Sequence, residues 1–375
     1  MSKKVLVLGA GFGGLELSTT LSEELGDEVE VTVIDRGDSF SFGFSKLDMM
    51  FRGASLESIS LPYSEIARPG VKVLKEEVTA IDPETRTVTT DRGTHQADAL
   101  VIALGADYDY DATPGLTEHG TDFYSFAGAE AAAAPIAAFN SGHAVIGVCG
   151  APFKCPPAPS ECALMLSDDL TRRGVRDDCT ITFVMPLGAP VPPSPETSAA
   201  LKAEFEERGI TFVGGRKPAR VEADRVILDD GTELPCDLFL GVPKHRAPTV
   251  VIESGLTEDG FVPVDPATLR TKFEGVFAVG DVATAGVPKA GVFAEGAAKV
   301  VARELIAEVR GEDAAPPYDG RGSCYIEFGE DRIARVDIDF LSGPEKTGEF
   351  NPPSLELRDE KEEFGSSRKA RWFGI

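Results

Sequence analysis

The segment GAPFKCPPAPSECA places Cys155 among three prolines, directly after the apolar run HAVIGVC. The apolar run, the turn and the following SECALMLSDDL predict a buried strand, a loop and a helix, which is where nucleotide-binding folds carry a phosphate-binding glycine loop. Pro156, Pro157 and Pro159 have no N–H to offer a phosphate, so this loop is a poor phosphate cradle. We expect thiol chemistry instead, because a helix N-terminus and the neighbouring Lys154 would both favour the thiolate of Cys155.

The chain has six cysteines, so five are available as partners for this thiol, and most of the six are expected to be small buried apolar residues. A structural disulfide framework is not expected in a cytoplasmic chain of this size. Cys162 lies seven residues after Cys155. On one helix the two would be about 10 Å apart, too far for a disulfide unless the prolines unwind the helix. We therefore interpret Cys162 as a core residue. The other cysteines are Cys149, Cys179, Cys236 and Cys324.

A glycine turn follows the first predicted strand of the chain. Gly9, Gly11 and Gly14 form GAGFGG between VLVL and the helix LELSTTLSEEL, and Asp35 ends the next strand, 21 residues beyond Gly14. Glycines at such a turn let the backbone approach a pyrophosphate at the helix N-terminus, and the acid accepts hydrogen bonds from ribose hydroxyls. The turn, the helix and the acid together predict a dinucleotide-binding site.

The segment FEGVFAVGDVA indicates which dinucleotide binds, since a strand ends there at Gly280 and Asp281. It resembles the second signature of flavoproteins that have two dinucleotide-binding domains, and VIALGA at 101–106 resembles a weaker landmark of that superfamily. The resemblance implies FAD in the first domain, with Asp281 at its ribityl and phosphate region. A buried aspartate that caps the following helix is the alternative. Disulfide reductases of that superfamily carry a cysteine pair beside the flavin, and RGDSFSFGFSKLDMMFRG has none.

Three segments resemble the group of sulfide:quinone oxidoreductases and flavocytochrome c sulfide dehydrogenases. GAPFKCPPAPSE is similar to their CPP(A/G)PYE segment, YDGRGSCY to the site of their second redox cysteine, and PKAGVFAEGAA to their PKxGxxAE segment. The resemblance implies a redox disulfide between Cys155 and Cys324, a proton acceptor at Glu161 and a cation beside the flavin at Lys289. The residues by themselves leave open that Glu161 is a helix first-turn acid and that Lys289 forms a surface ion pair.

The resemblance also implies a reaction. Sulfide, or another small thiol or persulfide, would attack the disulfide, and the electrons would pass through FAD to a quinone or another acceptor. The alternative enzyme is an NAD(P)H:acceptor oxidoreductase similar to the type II NADH dehydrogenases, which needs a glycine loop where Cys155 and its prolines stand. A third interpretation is a non-enzymatic flavin redox sensor, for which no partner-binding segment is visible.

The chain departs from this group at two kinds of position. It lacks the third cysteine that many members have near 120–130 and the early cysteine through which flavocytochrome types attach flavin, so we expect noncovalent FAD. Its C-terminus, EFGSSRKARWFGI, has one strongly apolar cluster, formed by Trp372, Phe373 and Ile375. Membrane-bound members end in amphipathic helices, so we expect at most weak peripheral membrane contact here, and the electron acceptor stays open.

The order of the elements predicts two copies of one nucleotide-binding architecture. A β-α-β unit opens the chain, a second lies near 143–185, and a first-domain strand returns at 275–279. The predicted fold class is α/β, with two Rossmann-like domains, the second inserted in the first, and a small C-terminal segment. The predicted units are 1–112 and 251–329 for the FAD-binding domain, 113–250 for the second domain with a degenerate NAD site, and 330–375 for the C-terminal segment.

Composition limits the partners and the location. The 375 residues include 62 acidic and 37 basic side chains, a formal net charge of −25, which argues against nucleic acid or an anionic membrane surface as partner. No apolar run approaches the roughly 18 residues of a membrane span. We expect a cytoplasmic enzyme, with at most peripheral contact at the inner face of the membrane. None of the four histidines has metal-ligand spacing, so no metal is expected, and a homodimer is compatible with the sequence.

Overall fold

Strands and helices alternate along most of the chain. The computed structural model describes residues 2–66, 68–313 and 316–375. The strands are β1 (Lys3–Leu8), β2 (Val29–Asp35), β3 (Ser39–Ser41), β4 (Ser60–Pro62), β5 (Val71–Lys75), β6 (Val78–Asp82), β7 (Thr87–Thr90), β8 (Thr94–Gln96), β9 (Ala99–Ile102), β10 (Asp107–Asp109), β11 (Thr121–Asp122), β12 (Gly142–Val148), β13 (Cys179–Met185), β14 (Ile210–Gly214), β15 (Pro218–Val221), β16 (Arg225–Leu228), β17 (Glu233–Pro235), β18 (Leu238–Val242), β19 (Lys244–Arg246), β20 (Val262–Pro263), β21 (Val276–Ala278), β22 (Ala283–Thr284), β23 (Arg321–Glu327), β24 (Ile333–Asp339) and β25 (Thr347–Ser354).

The helices connect these strands and cover the sheets. The α-helices are α1 (Phe12–Leu25), α2 (Ser45–Phe51), α3 (Leu56–Ile59), α4 (Leu116–His119), α5 (Phe126–Ala138), α6 (Ala158–Arg172), α7 (Pro195–Glu207), α8 (Thr249–Glu253), α9 (Gly291–Arg310) and α10 (Glu356–Phe373). Short 3₁₀ helices cover Gly26–Glu28, Tyr63–Glu65, Tyr110–Ala112, Arg176–Asp178 and Gly280–Val282.

The first sheet is parallel and has the strand order β21-β9-β1-β2-β5. β1 lies at its centre, with Val5 opposite Val31 on one side and Ala99 on the other. Its apolar residues are buried, as expected for a parallel strand that is covered on both faces. Because all five strands point the same way, the loops that follow them meet at one edge. This carboxyl edge is where open α/β sheets bind their ligands.

The second sheet is also parallel and has the strand order β11-β18-β12-β13-β14. Ile146 on the central β12 lies opposite Phe183 and Leu240, so its side chain is packed within the sheet's apolar layer. In the chain, all strands of this sheet lie between β9 and β21, which both belong to the first sheet. The predicted α/β class with two Rossmann-like units, the second inserted in the first, is confirmed.

A third, antiparallel sheet is formed by β23, β24 and β25 near the C-terminus. Cys324 on β23 lies opposite Val336 on β24. The predicted boundary between residues 329 and 330 falls inside this sheet, because β23 pairs along its whole length with β24. The sheet of β23, β24 and β25 thus carries Cys324, one of the two predicted redox cysteines.

The last helix, α10, folds back onto the first unit. Trp372 is 1% exposed and Phe373 is 6% exposed, whereas Ile375 is 63% exposed. The indole N–H of Trp372 donates a 2.8 Å hydrogen bond to Glu16, and its ring contacts Phe12 edge-on. Two members of the C-terminal apolar cluster, Trp372 and Phe373, are thus packed against the first unit, and Ile375 is the exposed member.

Candidate functional site

A cavity of about 870 Å³ opens at the carboxyl edge of the first sheet and extends to the start of α6 and to β23. Its wall is built from the loops after β1, β2, β9 and β21, from α2, and from α10. Most of the predicted site residues meet in this one space although they come from distant parts of the sequence. The predicted residues that line it are Gly9, Gly11, Asp35, Cys155, Glu161, Gly280, Asp281 and Cys324.

The glycine turn after β1 is shaped by two close backbone approaches. A Cβ on Gly14 would lie 1.9 Å from the carbonyl oxygen of Gly9, and a Cβ on Gly9, which has φ +100°, would lie 2.4 Å from that of Ala103. Gly11, the N-cap of α1, has no heavy atom within 4 Å of its Cβ position and faces the cavity. The turn thus leaves open space at a helix N-terminus, as a pyrophosphate requires.

Asp35 is fixed at the end of β2 by two backbone donors. The N–H groups of Ala10 and Gly37 donate to its two carboxylate oxygens at 2.8 and 2.7 Å. Each oxygen keeps a free lone pair, and the residue lines the cavity. This geometry fits an acceptor for ribose hydroxyls.

Asp281 shows an unused acceptor. Its Oδ1 atom is buried, and within the part of the chain that the structure describes it has no hydrogen-bond partner. Burial raises the pKa of its carboxyl, while the charges of Lys154, Lys289 and Lys46 act against that rise. A buried acceptor without a partner costs about 1–3 kcal/mol, so the site fits a ligand hydroxyl such as those of a ribityl chain.

Lys289 does not reach the cavity. Its ammonium donates to the carbonyls of Asp281 at 2.6 Å and Ala283 at 3.2 Å, and it lies 3.5 Å from the ring centre of Phe261. Burial lowers its pKa to about 8. The resemblance implies a position for this cation beside the flavin ring, whereas in the structure its ammonium points towards backbone carbonyls. Its visible role is to hold the loop that carries Asp281.

Cys155 is held by its backbone in a left-handed conformation, with φ +44°. Its N–H donates to the carbonyl of Lys289 at 2.7 Å, and its carbonyl accepts from the hydroxyl of Tyr124 at 3.1 Å. The loop after β12 is therefore tied across to the segment after β22. α6 begins only at Ala158, so the predicted position of Cys155 at the helix start is off by three residues.

The surroundings of Cys155 disfavour the thiolate form of its side chain. Burial raises its pKa above the ordinary value, and the charges of Glu161 and Cys324 raise it further. The cation that opposes this is Lys46 on α2. Lys154, the cation that was expected to favour the thiolate, donates from its ammonium to the carbonyl of Ala106 at 2.9 Å and lies over the ring of Tyr108, 4.4 Å from its centre.

Cys324 enters the same cavity from β23, and Ser323 and Tyr325 line the cavity beside it. Burial, with the charges of Glu161 and Asp337, raises its pKa to about 12. The two predicted redox thiols are close enough for the charge of one to raise the pKa of the other. All six cysteines are free thiols in this structure.

Cys162, the competing partner, points elsewhere. It lies fully buried on α6 in the apolar core, in agreement with its interpretation as a core residue, and it does not line the cavity.

Glu161 lies between the two cysteine-bearing elements. It is 3% exposed, and its carboxylate accepts a 3.0 Å hydrogen bond from the backbone N–H of Glu327. Burial raises its pKa to about 7, against the lowering effects of Lys361 and of that hydrogen bond. A carboxyl with this pKa exchanges protons near neutral pH, as a general acid or base must.

Sequence reasoning missed several cavity residues. Lys46 and Tyr124 approach Cys155, and Lys361 and Phe364 of α10 form the wall beside Cys324. No motif marks them: Lys46 stands in a segment that was notable only for its lack of cysteine, and α10 has the composition of an ordinary surface helix. Their placement depends on how the units pack.

In the described ranges, no group of three or more His, Cys, Asp or Glu side chains has the geometry to hold a metal ion. No helix in the same ranges has the length and apolar content that crossing a bilayer demands.

The glycine turn, the acid after β2 and the unpaired aspartate, all at the edge of a parallel sheet, define a dinucleotide-binding oxidoreductase with two thiols in its cavity. The sequence profile of the pyridine nucleotide-disulphide oxidoreductases matches residues 3–299. The chain belongs to this family, and the predicted FAD-dependent oxidoreductase is confirmed.

Relatives of the chain support the resemblance drawn from the three segments. The mitochondrial sulfide:quinone oxidoreductase of Mus musculus is 25% identical, over 93% of this chain and 80% of that protein. The sulfide-quinone reductase of Aquifex aeolicus is 28% identical, over 88% of this chain and 82% of that protein. The X-ray structure of the sulfide:quinone oxidoreductase from Aquifex aeolicus matches with a TM-score of 0.88 at 24% identity, covering 99% of this chain and 92% of that one. The predicted relationship to this group is confirmed, and the solved structure shows the same fold.

Proposed function

We propose that this enzyme oxidises sulfide, or a small thiol or persulfide, through Cys155 and Cys324, and passes the electrons to a quinone. The carrying observation is that both sulfurs line the cavity whose wall also contains Gly11, Asp35 and Asp281. Because the two thiols and the flavin site share one cavity, no further electron carrier is needed between the thiols and the flavin. The relatives that are named for sulfide and quinone support the same pair of substrates.

The cofactor would be held by residues that the structure leaves ready for it. Gly9, Gly11 and Gly14 give a pyrophosphate access to the backbone, Asp35 accepts ribose hydroxyls, and Asp281 beside Gly280 accepts a ribityl hydroxyl. When bound, FAD accepts two electrons from the sulfur centre and delivers them to the acceptor. We propose noncovalent binding, since Cys149 is the first cysteine of the sequence.

The first chemical step takes place on the oxidised form, a Cys155–Cys324 disulfide. Hydrosulfide attacks one of the two sulfurs; a new sulfur–sulfur bond forms to that cysteine, the disulfide bond breaks, and the other cysteine leaves as a thiolate. The sulfur of the substrate is oxidised and the disulfide is reduced by the same two electrons. Thiol exchange thereby replaces a direct two-electron transfer from sulfide.

Glu161 would act as the proton acceptor for this step. Hydrosulfide adds as an S–H group, and the persulfide becomes reactive when its proton is removed. Glu161 can accept that proton because its pKa lies near 7 and because it lines the cavity with both cysteines. Its hydrogen bond to Glu327 keeps the carboxylate in place.

The structure argues against a pyridine nucleotide at the second unit. The loop after β12 contains prolines where phosphate donors are needed, and the N–H of Cys155 is already used by the carbonyl of Lys289. NAD(P)H:acceptor oxidoreduction therefore stays the second candidate. Membership in an oxidoreductase family favours either enzyme over a flavin sensor.

Several finer points belong to the same proposal. We propose the units 1–112 with 251–320 for the FAD-binding domain, 113–250 for the inserted domain, and the remainder for the C-terminal unit. A location in the cytoplasm, with weak peripheral contact at the membrane where the quinone lies, is proposed with it. A homodimer stays a prediction.

The experiment is anaerobic mixing of the FAD-loaded enzyme with sulfide in one arm and NADH in the other, followed by flavin absorbance. We expect sulfide to bleach the flavin rapidly and NADH to leave it yellow. Bleaching by NADH with no response to sulfide would reverse the order of the two candidates.

A further inference from the structure

Lys46 is a cation in the cavity that is not among the residues predicted from the sequence. It lies near the start of α2 and lines the cavity together with Cys155 and Cys324. The segment around it, RGDSFSFGFSKLDMMFRG, contains no cysteine.

The ammonium of Lys46 has aromatic neighbours, and the acids that act on it lie beyond ion-pair distance. Its nitrogen lies 4.8 Å from the ring centre of Phe126 and 6.0 Å from that of Tyr124. Over the described residues, its side chain forms no ion pair and no hydrogen bond, although the charges of Asp122 and Asp281 raise its pKa from a distance. A partly buried cation without a direct counter-ion is suited to an anion that arrives during the reaction.

Tyr124 connects this ammonium to the reactive cysteine. Its ring faces Lys46, and its hydroxyl donates to the carbonyl of Cys155 at 3.1 Å. The charged and titratable groups that face Lys46 are Lys154, Cys155, Asp122, Asp281 and His245. Burial is the main cause that lowers the pKa of Lys46, to about 8, and Lys154 lowers it further, while the negative charges of Cys155, Asp122 and Asp281 raise it.

The surroundings of Cys155 are otherwise unfavourable to negative charge. Glu161 and Cys324 face its sulfur and raise its pKa, in addition to burial, and Lys46 is the cation that acts against them. The reaction must nevertheless place an anion in this part of the cavity, because opening a disulfide releases a thiolate.

We propose that Lys46 binds the negative charge that forms on the sulfur of Cys155, and that it makes this end of the cavity a subsite for anionic sulfur species, hydrosulfide and persulfide, in preference to neutral thiols. The inference rests on the proposed function. In the step that opens the disulfide, the charge carried in by hydrosulfide ends on a cysteine thiolate or, after proton loss, on the persulfide. Lys46 stabilises whichever of these anions lies on Cys155. Coulomb attraction in a cavity that holds little water is strong enough to lower the pKa of the sulfur on Cys155.

The test measures the acidity of Cys155 without any sulfide turnover. In a Cys324→Ser background, the thiol-reduced holoenzyme is alkylated with iodoacetamide over a range of pH, and the modified peptide of Cys155 is quantified. The variants are Lys46→Met, which removes the charge, Lys46→Gln, a second neutral form, and Lys46→Arg, which keeps the charge. Lys202→Met is the matched control, because this exposed lysine also lies over a ring, 5.3 Å from the centre of Phe212.

We expect the apparent pKa of Cys155 to rise in Lys46→Met and Lys46→Gln, so that alkylation at a fixed pH below it slows about tenfold. Lys46→Arg and Lys202→Met should follow the parent protein. Unchanged profiles in both neutral variants would overturn the proposal. So would loss of FAD with an unchanged alkylation profile, which would assign the cation to the cofactor phosphates or ring. If Cys155 shows the Lys46 effect but sulfide fails to bleach the flavin, the proposed function fails and the anion subsite stands.

Discussion

The carboxylate of Glu161 accepts a 3.0 Å hydrogen bond from the backbone N–H of Glu327, and this bond joins the helix that follows Cys155 to the strand that carries Cys324. Glu161 lies in the first turn of α6, which follows Cys155, and Glu327 ends β23, which carries Cys324. The inserted unit and the C-terminal unit are thus connected at the point where the sulfurs enter the cavity. The same contact therefore fixes the proposed proton acceptor, Glu161, beside the two proposed redox cysteines.

Glu161→Gln should abolish the acid limb of the pH–rate profile. Because the pKa of Glu161 is raised to about 7, the base form that accepts a proton is lost as the pH falls through 7. We expect wild-type kcat to decline below this pH, and the variant to be lowered about a hundredfold at pH 8 with no limb near 7. Exposed Glu206→Gln is the control, and a wild-type limb in Glu161→Gln would assign the titration to another group.

The same variant should be more stable at alkaline pH. A carboxyl whose pKa is raised in the folded state contributes stability that is fully present below its unfolded value of 4.5 and is lost as the pH rises through about 7. Glutamine carries no charge to bury, so Glu161→Gln should raise the free energy of unfolding at pH 8 by about 1–3 kcal/mol. Urea unfolding at pH 4 and pH 8 measures this, and an equal effect at both values would contradict it.

Two glycines of the turn after β1 should respond differently to alanine. In Gly14→Ala the new methyl would lie 1.9 Å from the carbonyl oxygen of Gly9, and the gain in helix propensity of about 1 kcal/mol cannot offset an overlap that costs roughly 3 kcal/mol or more. In Gly11→Ala the methyl meets no protein atom and enters the ligand space. We expect loss of thermal stability in the first variant and a folded protein with weakened FAD binding in the second. The reverse order would mean that the cofactor lies elsewhere.

Asp281→Ala should weaken the hold on FAD. The unpaired Oδ1 atom is expected to accept a hydrogen bond from the cofactor, and losing that bond corresponds to about a tenfold to hundredfold lower affinity. Flavin release on dilution and gel filtration measures this, with exposed Asp177→Ala as the control. Equal FAD retention in both variants would remove Asp281 from the cofactor site.

The packing of the C-terminal helix α10 against α1 should contribute to the thermal stability of the protein. Glu16 is fully buried. Its carboxylate accepts two hydrogen bonds of 2.9 Å from the guanidinium of Arg371 and one of 2.8 Å from the indole N–H of Trp372. Arg371→Met removes the cation that pairs with this buried carboxylate. Because Arg371 is partly exposed, we expect the free energy of unfolding to fall by about 2–4 kcal/mol, less than for a fully buried pair. Thermal unfolding of Arg371→Met against exposed Lys369→Met measures it, and equal midpoints would mean that the C-terminus is only loosely attached.

Local patterns were sufficient to predict the parts of the site that follow one another in the chain. The turn containing Gly11, the strand end at Asp35 and the segment at Asp281 each consist of a strand and the residues directly after it, and parallel strands bring such ends to one edge. Cys155 and Cys324 were paired through resemblance, and the structure brings both to the cavity.

Side-chain directions could not be predicted in the same way. Lys289 stands in its predicted segment, yet its ammonium turns to backbone carbonyls, and Lys154 turns to Ala106. Lys46 carries no motif, and it lines the cavity together with Cys155 because α2 packs near α6. The burial of Trp372 could not be predicted for the same reason. Whether its apolar side chain is exposed or buried depends on its packing against α1, which lies far away in the sequence.

The central claim is that electrons enter the enzyme through Cys155 and Cys324. It is tested most directly by anaerobic rapid mixing of sulfide with the FAD-loaded wild type, Cys155→Ser, Cys324→Ser and Cys162→Ser, with flavin absorbance as the signal. The wild type and Cys162→Ser should bleach at the same rate, and each of the other two should be slowed at least about a hundredfold. Equal bleaching in all four proteins, or a flavin that stays yellow in the wild type, would contradict the account.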